Sequence, residues 1–487
     1  MRLRSQCSSF IISIILLVTL IPGTLSTVAT AWGQTSLPET TSLPETMGWE
    51  VYPIVLQHMS PPQFPDKEFN VKSYGAKEGG EFNCTRAFAA AIDACTRAGG
   101  GKVVVPAGVY STGPIVLKNN VNLVVSKGAT LRFSTNPKHY LPPVYTRWEG
   151  VECMNYSALI YAYGQKNIAV TGEGVLDGQG SVEHWWSWSG KPQFGWKEGM
   201  PFQKPARTKL LAMADSMVPV QKRIMGEGSY LRPNFFQPYK CSNVLVEGVT
   251  FLNSPMWFLH PVLSSNVSVM GVTVKGLGPN NDGCDPESCT NVLIEDCIFD
   301  TGDDCIAIKS GRNTDGRRVN VATENVVVRG CTMKDGHGGV VMGSEISGSV
   351  RNVFVEDCQM DSPNLDRALR FKTNSVRGGT IENVFMRNVT VGQVAEAVVK
   401  VDFYYEEGDA GQFTPALRNV QVSDVTCKKS MYGIWIRAYD RSPATDITLQ
   451  NCTFENIAKP NVLENVRNLT LLNVTMSYVS DGKEASK

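Results

Sequence analysis

From residue 243 onward, apolar and polar positions alternate in short bursts with a recurring signature: Asn, apolar, any residue, apolar, two residues, then a small apolar residue. The signature starts at Asn243, Asn266, Asn291, Asn325, Asn352, Asn383, Asn419, Asp446 and Asn468, at spacings of 23, 25, 34, 27, 31, 36, 27 and 22 residues. Stretches such as Val326-Val327-Val328, followed by Cys331 and Met333, suit strands and are too short for helices. A period in the twenties with excess length in some units is the mark of stacked coils. Leucine-rich repeats share the period, but their Leu-x-x-Leu-x-Leu pattern is missing. The pattern therefore predicts an all-β chain, a right-handed parallel β-helix. Asn at one corner of each coil tolerates a left-handed backbone and can bond to its counterparts above and below.

The same phasing assigns the cysteines. Cys297, Cys331, Cys358 and Cys452 each lie six residues after an anchor, where other units carry Val249, Val272, Val389, Val425 and Val474. Exchange with Val needs only size and low polarity, so these residues are expected to be buried, mostly free thiols, with a pair at Cys284 left open. Ahead of the coils, Asn83 is placed to cap a helix whose apolar face is Phe88, Ala91, Ile92 and Cys95. Gly99-Gly100-Gly101 stops it, and it would plug the open end of the solenoid.

Two stretches fall outside the repeat. Arg2 and Arg4, the apolar run from Phe10 to Ile21 and Ala29-Thr30-Ala31 form a signal-peptide pattern over 1–31, which predicts a secreted protein, extracellular or periplasmic, without stable membrane association. A linker and N-terminal extension follow over 32–66, beginning with a tandem Thr-Ser-Leu-Pro-Glu-Thr. The parallel β-helix then spans 67–487, with a long insertion at about 178–235 that holds Trp185, Trp186, Trp188 and Trp196 among lysines and arginines. Long excursions from rigid scaffolds often carry function, and these aromatic and basic groups could wall a saccharide groove or simply pack as a surface subdomain. Lys plus Arg equals Asp plus Glu at 46 each, so no basic excess marks a nucleic-acid binder.

Four short segments interrupt the coils at related places: Asn280-Asn281-Asp282-Gly283-Cys284-Asp285, Gly302-Asp303-Asp304-Cys305, Gly336-His337-Gly338-Gly339 and Arg370-Phe371-Lys372. Asp303 and His337 each lie 12 residues after an anchor, which makes them neighbours about 5 Å apart on consecutive coils. Crowded carboxylates at Asp282, Asp303 and Asp304 should keep at least one proton near neutral pH, the division of labour that glycoside hydrolysis needs. An Asx turn or a calcium site would explain an isolated Asp pair. It does not explain three aspartates in phase with a histidine and with Arg370 and Lys372, whose two-residue spacing points them the same way to hold a carboxylate.

In these motifs the chain resembles glycoside hydrolase family 28, the polygalacturonases, over most of its length after the linker. The family pattern is Asn-Thr-Asp-Gly, Asp-Asp, Gly-His-Gly and Arg-Ile-Lys; here Asn281 replaces Thr and Phe371 replaces Ile. The resemblance implies hydrolysis of α-1,4-galacturonosidic bonds in homogalacturonan or oligogalacturonides by inversion. Asp303 would be the general acid, Asp282 and Asp304 would activate water, and His337 would tune the acid's protonation. Arg370 and Lys372 would grip a galacturonate carboxylate, with Asn280 and a tyrosine at Tyr404 or Tyr405 also at the substrate. No cofactor or metal is called for, and a monomer is expected. Gly338 to Gly348 looks like exo-acting bacterial members. Endo cleavage or a rhamnogalacturonan or xylogalacturonan substrate is the alternative. Outside the family stand a calcium-dependent pectate lyase and a non-catalytic β-helical adhesin or carbohydrate-binding protein.

Overall fold

The computed structural model describes residues 47–479. The expected signal peptide and the Pro-containing linker lie outside the described residues. From Gly101 onward, parallel strands stack coil upon coil in a right-handed β-helix. Two series of them merge into one large sheet, and a separate six-stranded parallel sheet bears the motifs. Its strands are β1 (Ile306–Ile308), β2 (Val340–Gly343), β3 (Arg367–Lys372), β4 (Ala397–Asp402), β5 (Tyr432–Arg437) and β6 (Val462–Glu464).

Every repeat anchor adopts the left-handed conformation, with φ between 52 and 59°. Their amides form the ladder, Nδ2 donating to the Oδ1 of the preceding coil from Asn243 to Asn167 (2.8 Å), Asn352 to Asn325 (3.0 Å) and Asn383 to Asn352 (3.1 Å). This satisfies the amides of the corner residues from coil to coil. The interior is a continuous column of residues such as Val292, Val326, Val353, Val384 and Val420. All twelve described cysteines are buried and free, Cys284 included. Those at the Val-equivalent position donate to the carbonyl two residues back, Cys297 to Glu295 O (3.1 Å) and Cys358 to Glu356 O (3.2 Å). Thiol and isopropyl groups therefore fill the same space, and the thiol adds a weak hydrogen bond.

Helix α1 (Tyr52–Gln57), with the 3₁₀ turn before it, lies outside the coils. It packs on Leu293, Val327, Phe354 and Phe385, which are register partners on four successive strands and would otherwise form an exposed apolar stripe. Ser60 ends this strap by bonding the ladder, its N–H donating to Asn266 Oδ1 (3.1 Å). Helix α2 (Thr85–Arg97) buries Phe88, Ala91, Ile92 and Cys95 in the core shared with Val103 and Val105, closing the first coil as its periodicity predicts. The residue before its first turn is Cys84, one later than expected, although Asn83 Oδ1 still accepts the Thr85 N–H (3.0 Å).

The insertion contributes helix α3 (Lys204–Asp215), which packs Leu210 and Ala214 against Trp148, Cys153 and Trp257. Its tryptophans do not face a groove. Trp185 meets Tyr140 and Trp188 edge to face, Trp188 meets Tyr230, and Trp186 Nε1 donates to Ser254 O (2.9 Å). Trp185 joins the core cluster of the solenoid, with Trp186 and Trp188 packed against it, so these aromatic residues anchor the insertion to the coils.

Candidate active site

Register brings the four motifs together. Ile306 of β1 pairs with Val340 of β2, which sets Asp303 beside His337, the residues three before each. The His337 N–H donates to Asp303 O (3.0 Å), and the imidazole Nδ1 lies 3.0 Å from Asp303 Oδ1. Cys284 bridges to Ile306, so Asp282 and Asp304, each two residues earlier, stand one above the other. Carboxylate oxygens of Asp282, Asp303 and Asp304 all come within 4.8 Å of one another. Glycine beside His337 is required by this close stacking: a Cβ on Gly336, at φ 154°, would sit 2.6 Å from Asp303 O.

The three aspartates occupy different electrostatic settings. Asp304 is fully buried and doubly gripped, by Lys372 Nζ at 2.5 Å and Arg370 Nη1 at 3.4 Å. Arg370 and Lys372 alternate outward on β3 as their spacing predicts, with Phe371 turned into the core. Burial pushes the Asp303 carboxyl up, but the hydrogen bond and charge of His337 outweigh it, with Lys372 and Lys309 behind, and hold it below the ordinary carboxylate value. The His337 imidazole, half-exposed, is correspondingly raised by Asp303. Asp282 is pushed well up, first by burial and then by Asp285 and Asp303, and its Oδ1 has no protein partner. Crowding and burial therefore raise the proton affinity of Asp282, while His337 and Asp303 favour a proton on the imidazole.

Asp282 and Asp303 open into a cleft lined also by Glu149, Arg207, Trp257, Asn280, Lys309, Arg312, Ser344, Glu345, Lys372, Tyr405 and Glu406, with Asp304 buried behind them. Asn280 Oδ1 accepts from the buried Arg232 (2.7 Å) at the cleft wall. Asn281 turns away, its amide bonding Ser254 O and Met256 O, a scaffold role in keeping with its replacing a non-catalytic Thr. Of the two tyrosines, Tyr405 lines the cleft, its ring 5.4 Å from the Arg370 guanidinium and 5.3 Å from Lys372 Nζ. Tyr404 does not: it packs edge-on against Tyr439 under the Arg437 guanidinium, which removes it from the candidate substrate contacts.

Beyond the aspartates, the cleft is lined by charges the motifs did not announce. Arg207 Nε meets Glu149 Oε2 (2.5 Å), Arg207 Nη2 meets Glu406 Oε1 (3.9 Å), Glu406 Oε2 meets Arg312 Nη2 (3.0 Å), and Arg312 Nη1 returns to Glu149 Oε2 (3.5 Å). This ring ties α3 to the tip of the hairpin Val144–Trp148 and Val151–Asn155, to the loop after β4 and to the turn before helix α4 (Asn313–Val319). Gly150 allows the approach, since a Cβ there would lie 2.8 Å from Arg312 N. Of the insertion's basic residues, Arg207 alone lines the cleft. These groups come from four separate segments with no common spacing, so the sequence offers no signal for them beyond an excess of charge.

The family model described as Glycosyl hydrolases family 28 matches residues 223–416, which include all four motifs. A solved hyperthermoactive exopolygalacturonase from Thermotoga maritima is 44% identical, with a TM-score of 0.86, covering 88% of this chain and 96% of its own. The exo-poly-alpha-D-galacturonosidase of Dickeya chrysanthemi is 28% identical over 74% of this chain and 61% of that protein. A probable polygalacturonase of Vitis vinifera is 27% identical over 79% of this chain and 74% of its own length.

Proposed function

The chain belongs to glycosyl hydrolase family 28 and is a glycoside hydrolase, and we propose that it removes single galacturonic acid residues from the non-reducing end of homogalacturonan or oligogalacturonides. The observation that carries this reading is a cleft whose lining joins Asp282 and Asp303 to the closed Glu149–Arg207–Glu406–Arg312 ring of ion pairs, which we read as its blind side. A terminal sugar enters the blind side, and the rest of the polymer leaves over Arg370 and Lys372, whose charges suit a uronate carboxylate. Cleavage inside a chain would need the ring's position free.

Asp303 serves as general acid toward the leaving oxygen. In the open cleft the proton of its pair rests on His337; a bound sugar excludes water, penalises the separated charges and shifts that proton to the carboxyl facing the glycosidic oxygen. Both Asp304 oxygens are engaged by Arg370 and Lys372, so that carboxylate is not free to attack the anomeric carbon. Water held between Asp304 and the unpartnered Asp282 Oδ1 attacks instead, which inverts the configuration. Carboxyl groups as close as these, within 4.8 Å, also suit direct attack in two-carboxylate sites, so the anomer first released is the decisive readout.

Digestion of polygalacturonate checks both points. Early products should be galacturonic acid alone, with little loss of viscosity, and the anomer first seen by proton NMR should be β. An early ladder of oligomers would remove exo action, and an α product would make one aspartate a nucleophile. An ultraviolet-absorbing product abolished by a chelator would indicate a lyase. The same proposal includes export, supported by the leader pattern at the N-terminus; among the described residues no helix is long and apolar enough to cross a membrane.

A further inference from the structure

Two of the three aspartates have cationic partners within the recognised motifs, His337 for Asp303 and Arg370 with Lys372 for Asp304. Asp282 has none there. The cation that faces it is Lys309, at the end of the otherwise apolar β1, with Nζ 3.8 Å from Asp282 Oδ2. Lys309 is almost wholly buried, and its ammonium is fixed from three further directions: Glu345 Oε2 at 3.1 Å, Gly343 O at 3.2 Å and the Trp257 ring at 4.6 Å. Glu345 is anchored in turn by Arg312 Nη1 (3.3 Å).

We propose that Lys309 is the positioning residue for the water-activating side of the reaction, its fixed ammonium aiming the Asp282 carboxyl and opposing the three carboxylates that crowd it. This rests on the reading of Asp282 as a base. Asp282 is faced by Asp285, Asp303 and Asp304 on neighbouring turns, with Lys309 opposing them and the buried Arg232 behind Asn280. Both carboxylate oxygens of Asp285 lack a protein partner, so Asp285 offers no compensation. Lys309 itself is faced by Glu345, Asp285, Asp282 and Asp304, with like charge from Lys372 and with His260 beneath Trp257. Burial lowers its affinity for a proton, but these carboxylates outweigh burial and keep it charged. Glu345 and Gly343 O hold the ammonium in place, so its field falls on Asp282 whether or not substrate is bound.

The Lys309→Met variant tests this on polygalacturonate. Without the ammonium, Asp282 is harder to ionise, so the acidic limb of kcat against pH should move to higher pH. At the wild-type optimum kcat should fall by about 100-fold, the lower end of what a general base contributes, while KM changes by less than about threefold. Lys309→Arg, which keeps the charge, should restore most of kcat and the original limb. Removing Lys309 leaves Glu345 buried with less compensation, so the Lys309→Met/Glu345→Gln pair serves if the single variant does not fold, and its limb must shift the same way. An unshifted limb with a raised KM would make Lys309 a grip on the substrate carboxylate and overturn the assignment. Wild-type protein inactive on polygalacturonate would instead remove the proposed function itself.

Discussion

At the scale of single residues, three chemically identical side chains are set apart by their neighbours. Asp304 carries two cations, Asp303 an imidazole, and Asp282 a buried ammonium at longer range. The Asp303–His337 pair has a consequence for pH. His337 is raised above its ordinary value by Asp303, so the pair keeps its one proton until pH climbs through that raised value. In His337→Gln the proton must stay on the Asp303 carboxyl alone, which releases it at lower pH than an imidazolium does. The alkaline limb of kcat should therefore move down in pH, with kcat at the optimum reduced roughly 100-fold. A pH–rate profile of this variant that keeps the wild-type alkaline limb would detach His337 from the acid's proton.

At the scale of elements, legibility followed periodicity. The repeat fixed the corner asparagines, the inward Val and Cys column and, by counting from the anchors, the neighbourhood of Asp303 and His337. It left out the strap because the residue two after each anchor counts as free in the repeat. In four consecutive coils that residue is Leu293, Val327, Phe354 and Phe385, whereas other coils place Ser268, Gln421 and Thr448 there. A run of bulky apolar groups on an outward position signals a cover, and α1 supplies it, with Arg387 sandwiching Trp49 at 3.8 Å. Tyr52 is central to the cover: buried, edge-on to Trp49, against Phe354, its hydroxyl donating to Glu356. Tyr52→Ala should cost about 3 kcal/mol, read as a lower midpoint in denaturant, with kcat on polygalacturonate unchanged because the strap lies on a different sheet from the aspartates. Unaltered stability would mean that the stripe tolerates water.

At the scale of the whole molecule, the solenoid supplies a straight row of carboxylates and cations, and what it cannot supply is an end. A regular stack of coils leaves a groove open in both directions, so an end must come from chain outside the repeat, and the proposed exo action assigns it to the ion-paired hairpin at Glu149, α3 at Arg207 and the loop at Glu406. Composition left open how the insertion does this; three of its tryptophans anchor it to the solenoid core and a single arginine of it lines the cleft. Arg312 stays in place without the other arm, bonded to Glu345 and Glu407, so the wall can be opened from the α3 side without removing the turn beneath it. In the Glu149→Ala/Arg207→Ala variant a second sugar can pass the former wall. Digests of polygalacturonate by this variant should then contain digalacturonate and longer products from the first minutes. Turnover should stay within about tenfold of wild type, because no group that reaches the scissile bond has been changed. Chromatography of products against time decides the matter, and galacturonic acid as the sole early product of the variant would mean that something other than the charged ring ends the groove.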